Sequence, residues 1–272
     1  MTAKEQIIEL FRRNVLGKRP NVDGKNSGHD GKYGHWLEEQ FGIIHNGDNE
    51  PDIMGYELKN ETTSKTTFGD WSANVYIYDL PEFAHIFRGA SRVAKRDVFL
   101  SIFGKNSERV AGRFSWSGEA CPKISDYNEF GQKLFIENGN RDIVAVYSYT
   151  MDRRPNKALI IPKELQKDNL VIARWYGDTY TGIRRRKTDK CMRERVEDKF
   201  NDNGWFTCKT DAQGRYVKIC FGNPVSYDDF LFLVEQGLAF FDSGMHTGNN
   251  RPYQEWRMNN SIWDSLIIEE YQ

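Results

Sequence analysis

Asp52, Glu57 and Lys59 lie close together in Glu50-Pro51-Asp52-Ile53-Met54-Gly55-Tyr56-Glu57-Leu58-Lys59, and their types suit one kind of chemistry. Pro51 and Gly55 punctuate a turn, and a short alternating strand follows. Two positions apart on a strand, Glu57 and Lys59 project from one face, while Leu58 points the other way into a core. Carboxylates converging on one spot repel each other unless a cation sits between them, and the hard, oxygen-seeking Mg²⁺ is the usual occupant. An ammonium beside them can hold a phosphate oxygen or an attacking water. Such a group fits phosphodiester cleavage, in which a metal prepares the water and steadies developing charge. The spacing alone is weak, because it arises by chance about once in every one or two chains of this composition. An exposed strand end with solvated charges would read the same way. The elements that position these residues therefore carry the decision.

The preceding segment, Gly31 to Ile43, reads as a short helix with glycines at both ends and Leu37 and Phe41 four apart on one face. Glu38 adjoins Leu37 and is near enough to the buried side to reach a neighbouring site. Taken together, Gly31-x-x-Gly34-x-x-Leu37-Glu38, Pro51-Asp52 and Gly55-Tyr56-Glu57-Leu58-Lys59 resemble the active-site signature of the MutH and MvaI-like branch of PD-(D/E)XK nucleases. That branch pairs a helix-borne Glu with Asp and Glu-x-Lys on the next strand. The Asp52-to-Glu57 gap is shorter than in MutH and closer to the MvaI-like spacing. The resemblance implies an α/β fold, restriction-endonuclease-like, with a mixed central β-sheet of five strands flanked by helices. It also implies Mg²⁺-dependent cleavage of double-stranded DNA leaving 5′-phosphates, by enzymes that mostly act as monomers. In that mechanism Asp52, Glu57 and the carbonyl of Leu58 hold Mg²⁺, and Glu38 helps to place a second ion or its water. Lys59 polarises the attacking water and steadies the charged state.

A second constellation lies late in the chain, where Gly244 and Gly248 free the backbone to turn after a strand ending at Asp242. Arg can bind guanine bidentately, Asn can bind adenine, and Tyr, Trp and His can stack or wedge. A glycine-rich turn whose polar residues satisfy its own backbone is the plainer alternative. The MvaI-like group carries a similar late segment, and by that resemblance His246, Arg251 and Arg257 are recognition candidates, with Asn249, Asn250 and Tyr253 beside them. The stretch from Phe114-Ser115-Trp116-Ser117-Gly118 through this tail also resembles LlaMI-type restriction enzymes, which implies a short C/G-rich target. Lys65 and the hydroxyls of Thr62, Thr63, Ser64, Thr66 and Thr67 suit phosphate contacts beside the cleavage site, and equally suit an ordinary strand extension.

At 272 residues the chain can bury a sizeable core in one large domain or two closely joined lobes. No apolar run approaches the roughly 20 residues that span a bilayer, and no signal-peptide core is visible, so the cytoplasm is the expected compartment. Cys121, Cys191, Cys208 and Cys220 lack CxxC spacing, and neither a zinc site nor a disulfide framework is suggested. A net charge of −1 gives no global basic signature, so a DNA enzyme of this composition needs a local basic cleft.

Periodicity predicts an amphipathic helix over residues 4–16, a loop from Gly17 to Asp30 that includes Lys18, Arg19 and Lys25, and strands at 73–78, 97–103, 142–149, 157–161 and 170–175. Arg88, Arg92, Lys95 and Arg96 form a basic cluster. A charged helix is expected over 183–202, solvent-facing with a basic first turn, then a hairpin of 205–209 with 216–221 and a Ser226-capped helix over 227–236. No internal repeat and no linker between independent domains appears. The expected organisation is a single nuclease chain, with a catalytic lobe over about 1–110, core strands returning near 142–176, and a recognition lobe over about 177–272. The function expected is that of a type II restriction endonuclease, whose cognate DNA methyltransferase is a partner within the system and not a bound subunit. Its rivals are a MutH-like repair nicking endonuclease and a non-catalytic sequence-specific DNA-binding protein, for which no helix-turn-helix is found.

Overall fold

The computed structural model describes residues 1–21, 32–43, 49–60, 64–200 and 202–272. The expected loop beyond Asn21, with Lys25, lies outside the described residues, as do Gly31, Thr62 and Thr63. Two compact units interleave along the sequence: Met1–Thr67, Arg195–Phe230 and Met258–Gln272 form one, and Phe68–Glu194 with Leu231–Arg257 form the other.

The first unit is built on a four-stranded mixed sheet, in the order Glu57–Leu58, Trp205–Thr210, Tyr216–Gly222, Ile267–Tyr271. Among the described residues this mixed sheet has four strands where five were expected. Glu57–Leu58 runs parallel to its neighbour, with Glu57 opposite Trp205 and Leu58 opposite Phe206, and the other pairings are antiparallel. The predicted hairpin of 205–209 with 216–221 is present. Helices Ala3–Asn14 and Lys32–Phe41 cover the sheet. The first starts at a capping box, in which Thr2 and Glu5 satisfy each other's backbone N–H, and it buries Ile7, Ile8 and Phe11. The second buries Trp36, Leu37 and Phe41, the spacing that makes one helical face apolar. Trp36 stacks on Tyr216 at 5.8 Å and Phe41 meets Phe206 edge-on at 5.1 Å. This packing fixes the helix that carries Glu38 against the sheet that carries Glu57.

The second unit holds a four-stranded antiparallel sheet, in the order Val75–Tyr76, Leu170–Trp175, Ile143–Asp152, Phe130–Ile136. Small sheets accompany it, including Met245–His246 against Phe114–Trp116 and Lys105–Asn106. Its centre is aromatic: Trp116, Trp175, Phe241 and Trp256 pack together with centroids 4.8 to 5.6 Å apart.

Four expected elements differ. Residues 97–103 belong to the helix Arg92–Phe103, whose N-terminus is capped by Ser91 accepting the Ala94 N–H. The run Val98 to Phe103 resembles a buried strand, but Arg96, Phe99, Leu100 and Phe103 are buried at helical spacing. Residues 157–161 form the one-turn helix Lys157–Ile160, with the Lys157 ammonium donating to the carbonyls of Tyr149 and Asp152. The strand over 73–78 stops at Tyr76 and becomes a 3-10 turn. The charged helix is confined to Met192–Phe200, because Asp189 accepts the backbone N–H groups of Arg185 and Arg186 and holds the basic stretch in a turn instead. The Ser226 cap and the strands at 142–149 and 170–175 stand as expected.

Candidate active site

A two-residue turn assembles the site. Ile53 and Tyr56 exchange both backbone hydrogen bonds, at 3.0 and 2.8 Å, with Met54 and Gly55 between them at φ of 51° and 78°. Two central residues at positive φ make the tight turn that matches strand twist, and glycine supplies one of them without strain. Asn203 secures the turn, its amide donating to the carbonyl of Met54 and its backbone N–H to that of Gly55. The chain doubles back, and Asp52 reaches Leu58, whose N–H donates to Oδ2 at 2.9 Å. The Glu57 and Lys59 N–H groups donate to the carbonyls of Gly204 and Phe206, so the strand enters the sheet with both side chains on one face.

That face is buried, with Glu57 3% and Lys59 4% exposed. The Lys59 ammonium donates to Glu57 Oε1 at 2.9 Å and lies 4.8 Å from the centre of the Phe200 ring and 6.0 Å from that of Trp263. A second ammonium, from Lys199, reaches the same Oε1 at 2.9 Å. Among the described residues the other oxygen, Glu57 Oε2, is buried without a hydrogen-bond partner. Burial, opposed by the charge of Glu57, pulls the Lys59 ammonium below its ordinary value, and Lys199 lowers it further. Burial and then the charge of Glu57 push the Asp52 carboxyl up to about 7.

A buried carboxylate oxygen without a partner among the described residues and a second, buried carboxyl beside it form an all-oxygen donor set, which suits a hard divalent cation. Asp52, Glu57 Oε2 and the Leu58 carbonyl are the groups available to hold one. Glu38 is half-buried on its helix, and among the described residues no three of His, Cys, Asp and Glu cluster as metal ligands. Hydrogen bonds and ion pairs join Asp52 to Leu58 and Glu57 to Lys59 and Lys199, while Glu38 stands on the neighbouring helix Lys32–Phe41.

A pH dependence follows. Asp52 keeps its proton up to about 7 in the fold but releases it near the ordinary carboxyl value of 3.8 when unfolded. Its contribution to stability is complete below 3.8 and is lost as the pH rises through 7. Thermal unfolding of the metal-free protein is expected to show this decline against Asp52→Asn, which lacks the proton. Ca²⁺ should offset the decline and release a proton on binding near pH 6. Parallel pH profiles for the two proteins would contradict it.

The recognition candidates other than Lys65 lie in the second unit. His246 and Asn249 border a cleft of ≈ 670 Å³ with Tyr253, Lys105, Arg109 and Arg113. The loop is fastened from beneath: Arg96 donates to the Asn249 carbonyl, and Asp97 accepts the Gly248 N–H at 3.1 Å. Asn250, Arg251 and Tyr253 are exposed. Arg257 is half-buried, with Nε 2.6 Å from Glu255 and 3.4 Å from Asp242, and its guanidinium lies over the Tyr253 ring. Lys65, half-buried and in the first unit, begins the strand Lys65–Asp70. Sequence reading passed over Lys105, Arg109 and Arg113 at the cleft and Lys199 at the carboxylates. The signal for Lys199 was its spacing: with Met192, Arg195, Val196 and Phe200 it falls on the buried stripe of a helix, where a solvated charge does not belong.

A mixed sheet carrying a carboxylate and a lysine two positions apart, with an acid folded back beside them, defines the restriction-endonuclease-like fold. The chain aligns with MvaI in a cognate DNA substrate complex at a TM-score of 0.52, over 98% of this chain and 95% of that one at 14% identity. The family model of the LlaMI restriction endonuclease matches residues 15–271. The type II restriction enzyme ScrFI of Lactococcus lactis subsp. cremoris is 53% identical over 270 residues, 99% of this chain and 98% of that protein. The chain belongs to the LlaMI restriction endonuclease family, and by that membership it is a type II site-specific deoxyribonuclease. No helix among the described residues is long and apolar enough to cross a membrane.

Proposed function

We propose that the chain hydrolyses double-stranded DNA at a short C/G-rich site, using Mg²⁺ and leaving 5′-phosphates. The observation that carries the chemistry is Glu57, with one oxygen held by two ammonium groups and the other buried without a partner among the described residues. Asp52, Glu57 and the Leu58 carbonyl would hold Mg²⁺, which supplies an activated water and neutralises developing phosphate charge when bound. Lys59, packed between Glu57 and the Phe200 and Trp263 rings, has a single place to stand. From there its ammonium donates to a phosphate oxygen or the attacking water. Glu38, one helix away, orders water around that group. The enzyme acts as a monomer in the cytoplasm, with a DNA methyltransferase as its partner in the system and not as a bound subunit.

Readout is assigned to the second unit. His246, Asn249 and Tyr253, lining the cleft together with Lys105, Arg109 and Arg113, combine base-edge donors with phosphate-binding charge. Asn250 and Arg251 reach out from the same loop. Arg257, engaged with Glu255 and Asp242, braces Tyr253, and Lys65 contacts backbone phosphate beside the cut. Incubation with Mg²⁺ and a plasmid of known sequence is expected to give discrete double-strand fragments whose ends map to one short sequence. Nicking alone would point to a repair endonuclease, and binding without cutting to a non-catalytic DNA-binding protein. Arg113→Ala is expected to weaken DNA binding by about 10-fold if it reads a base and to relax discrimination at one position. A uniform loss across sequences, with a smaller salt slope, would reassign it to phosphate contact.

A further inference from the structure

The two ammonium groups on Glu57 differ in origin. Lys59 is the signature lysine of the strand, whereas Lys199 comes from the end of the helix Met192–Phe200 and belongs to no part of the signature. Both approach Oε1 at 2.9 Å, and with Asp52 ionised the two acids and two ammonium groups balance to zero net charge. We infer that Lys199 is the resident counter-ion of Glu57, a positioning residue that turns Oε2 toward the metal side and against whose charge a divalent cation must enter. The inference rests on the reading of Asp52 and Glu57 as metal ligands.

The geometry gives Lys199 two separable effects. By sharing Oε1 with Lys59 it fixes the rotation of the carboxylate, which leaves Oε2 directed away from both lysines. A side chain only 16% exposed cannot swing freely into water, so its charge stays close to the entering cation. A positive charge so near a poorly solvated cation site weakens binding of that cation while holding the ligand in its working orientation. Removal of Lys199 should thus tighten cation binding and slow turnover. General damage to the site would weaken both.

The test is calorimetric titration of Ca²⁺ into the DNA-free protein, paired with steady-state cleavage at saturating Mg²⁺. Lys199→Met is expected to bind Ca²⁺ about 10-fold more tightly and to lose about 10-fold in kcat, with KM for DNA little changed. Lys199→Arg, which keeps the charge, should move both values back toward those of the parent. Should Lys199→Met fail to fold, Lys199→Gln, which still donates to Oε1, is expected to show the same tightening with a smaller loss of kcat. An unchanged or weaker Ca²⁺ affinity in the uncharged variants, or undiminished turnover in Lys199→Met, overturns the inference. If the parent binds Ca²⁺ and Glu57→Ala does not, while Lys199→Met matches the parent, Lys199 alone is dismissed and the metal reading stands. Absence of Ca²⁺ binding in the parent would remove both.

Discussion

Glu57→Ala is expected to lower the rate of DNA cleavage by about 10³-fold or more, close to 4 kcal/mol of transition-state stabilisation, while DNA binding in Ca²⁺ is retained. The size follows from where the carboxylate stands. Its Oε1 is the meeting point of Lys59 and Lys199, and its Oε2 is buried without a hydrogen-bond partner among the described residues. Truncation removes a metal ligand and at the same time leaves two ammonium groups facing each other without a counter-charge. Their repulsion would push cations away from the remaining carboxyl of Asp52. Glu57→Gln should lose nearly as much activity, because an amide keeps the shape but not the charge. Electrophoretic mobility shift with cognate DNA in Ca²⁺, beside single-turnover cleavage in Mg²⁺, separates the effects. Persistent cutting with binding abolished would show that Glu57 has been given the wrong role.

Lys59→Met should reduce kcat by about 10²- to 10³-fold with little change in KM. Methionine occupies the same buried channel beside Phe200 and Trp263 and leaves Glu57 paired with Lys199, so the fold is expected to survive. What is lost is the donor aimed at the phosphate or water. Lys59→Arg should not restore activity, since a planar guanidinium does not fit where a compact ammonium rests between a carboxylate and two rings. Rescue by arginine, or a loss confined to KM, would show that Lys59 serves DNA binding and not the chemical step.

Much of the first unit was legible because its signals are local. The apolar spacing of the opening helix, the apolar face of the helix bearing Glu38 and the hairpin around Asp211 each announce themselves within a few residues. The alternation of Glu57, Leu58 and Lys59 was enough to place an acid and an amine on one buried face, and the structure brings them to 2.9 Å. The helix Arg92–Phe103 was obscured because a run of adjacent apolar residues fits a buried strand as well as one helical face, and the deciding Ser91 cap lies outside the run. Lys199 was hidden by its neighbours. In a segment crowded with Arg, Lys and Glu, a charge on the inner stripe looks like one more solvated group until its partner, Glu57, far away in sequence, is known. Lys105, Arg109 and Arg113 gather beside His246 only through the pairing of Phe114–Trp116 with Met245–His246, a contact that no periodicity encodes.

Diffraction from crystals of the enzyme with cognate DNA and Mn²⁺, read by anomalous scattering, tests the central claim most directly. The expected result is an ion within about 2.5 Å of an Asp52 carboxylate oxygen, Glu57 Oε2 and the Leu58 carbonyl, beside the phosphate to be cut and with the Lys59 ammonium in reach of it. An ion held elsewhere, or a scissile phosphate bound away from Glu57 and Lys59, would contradict the account.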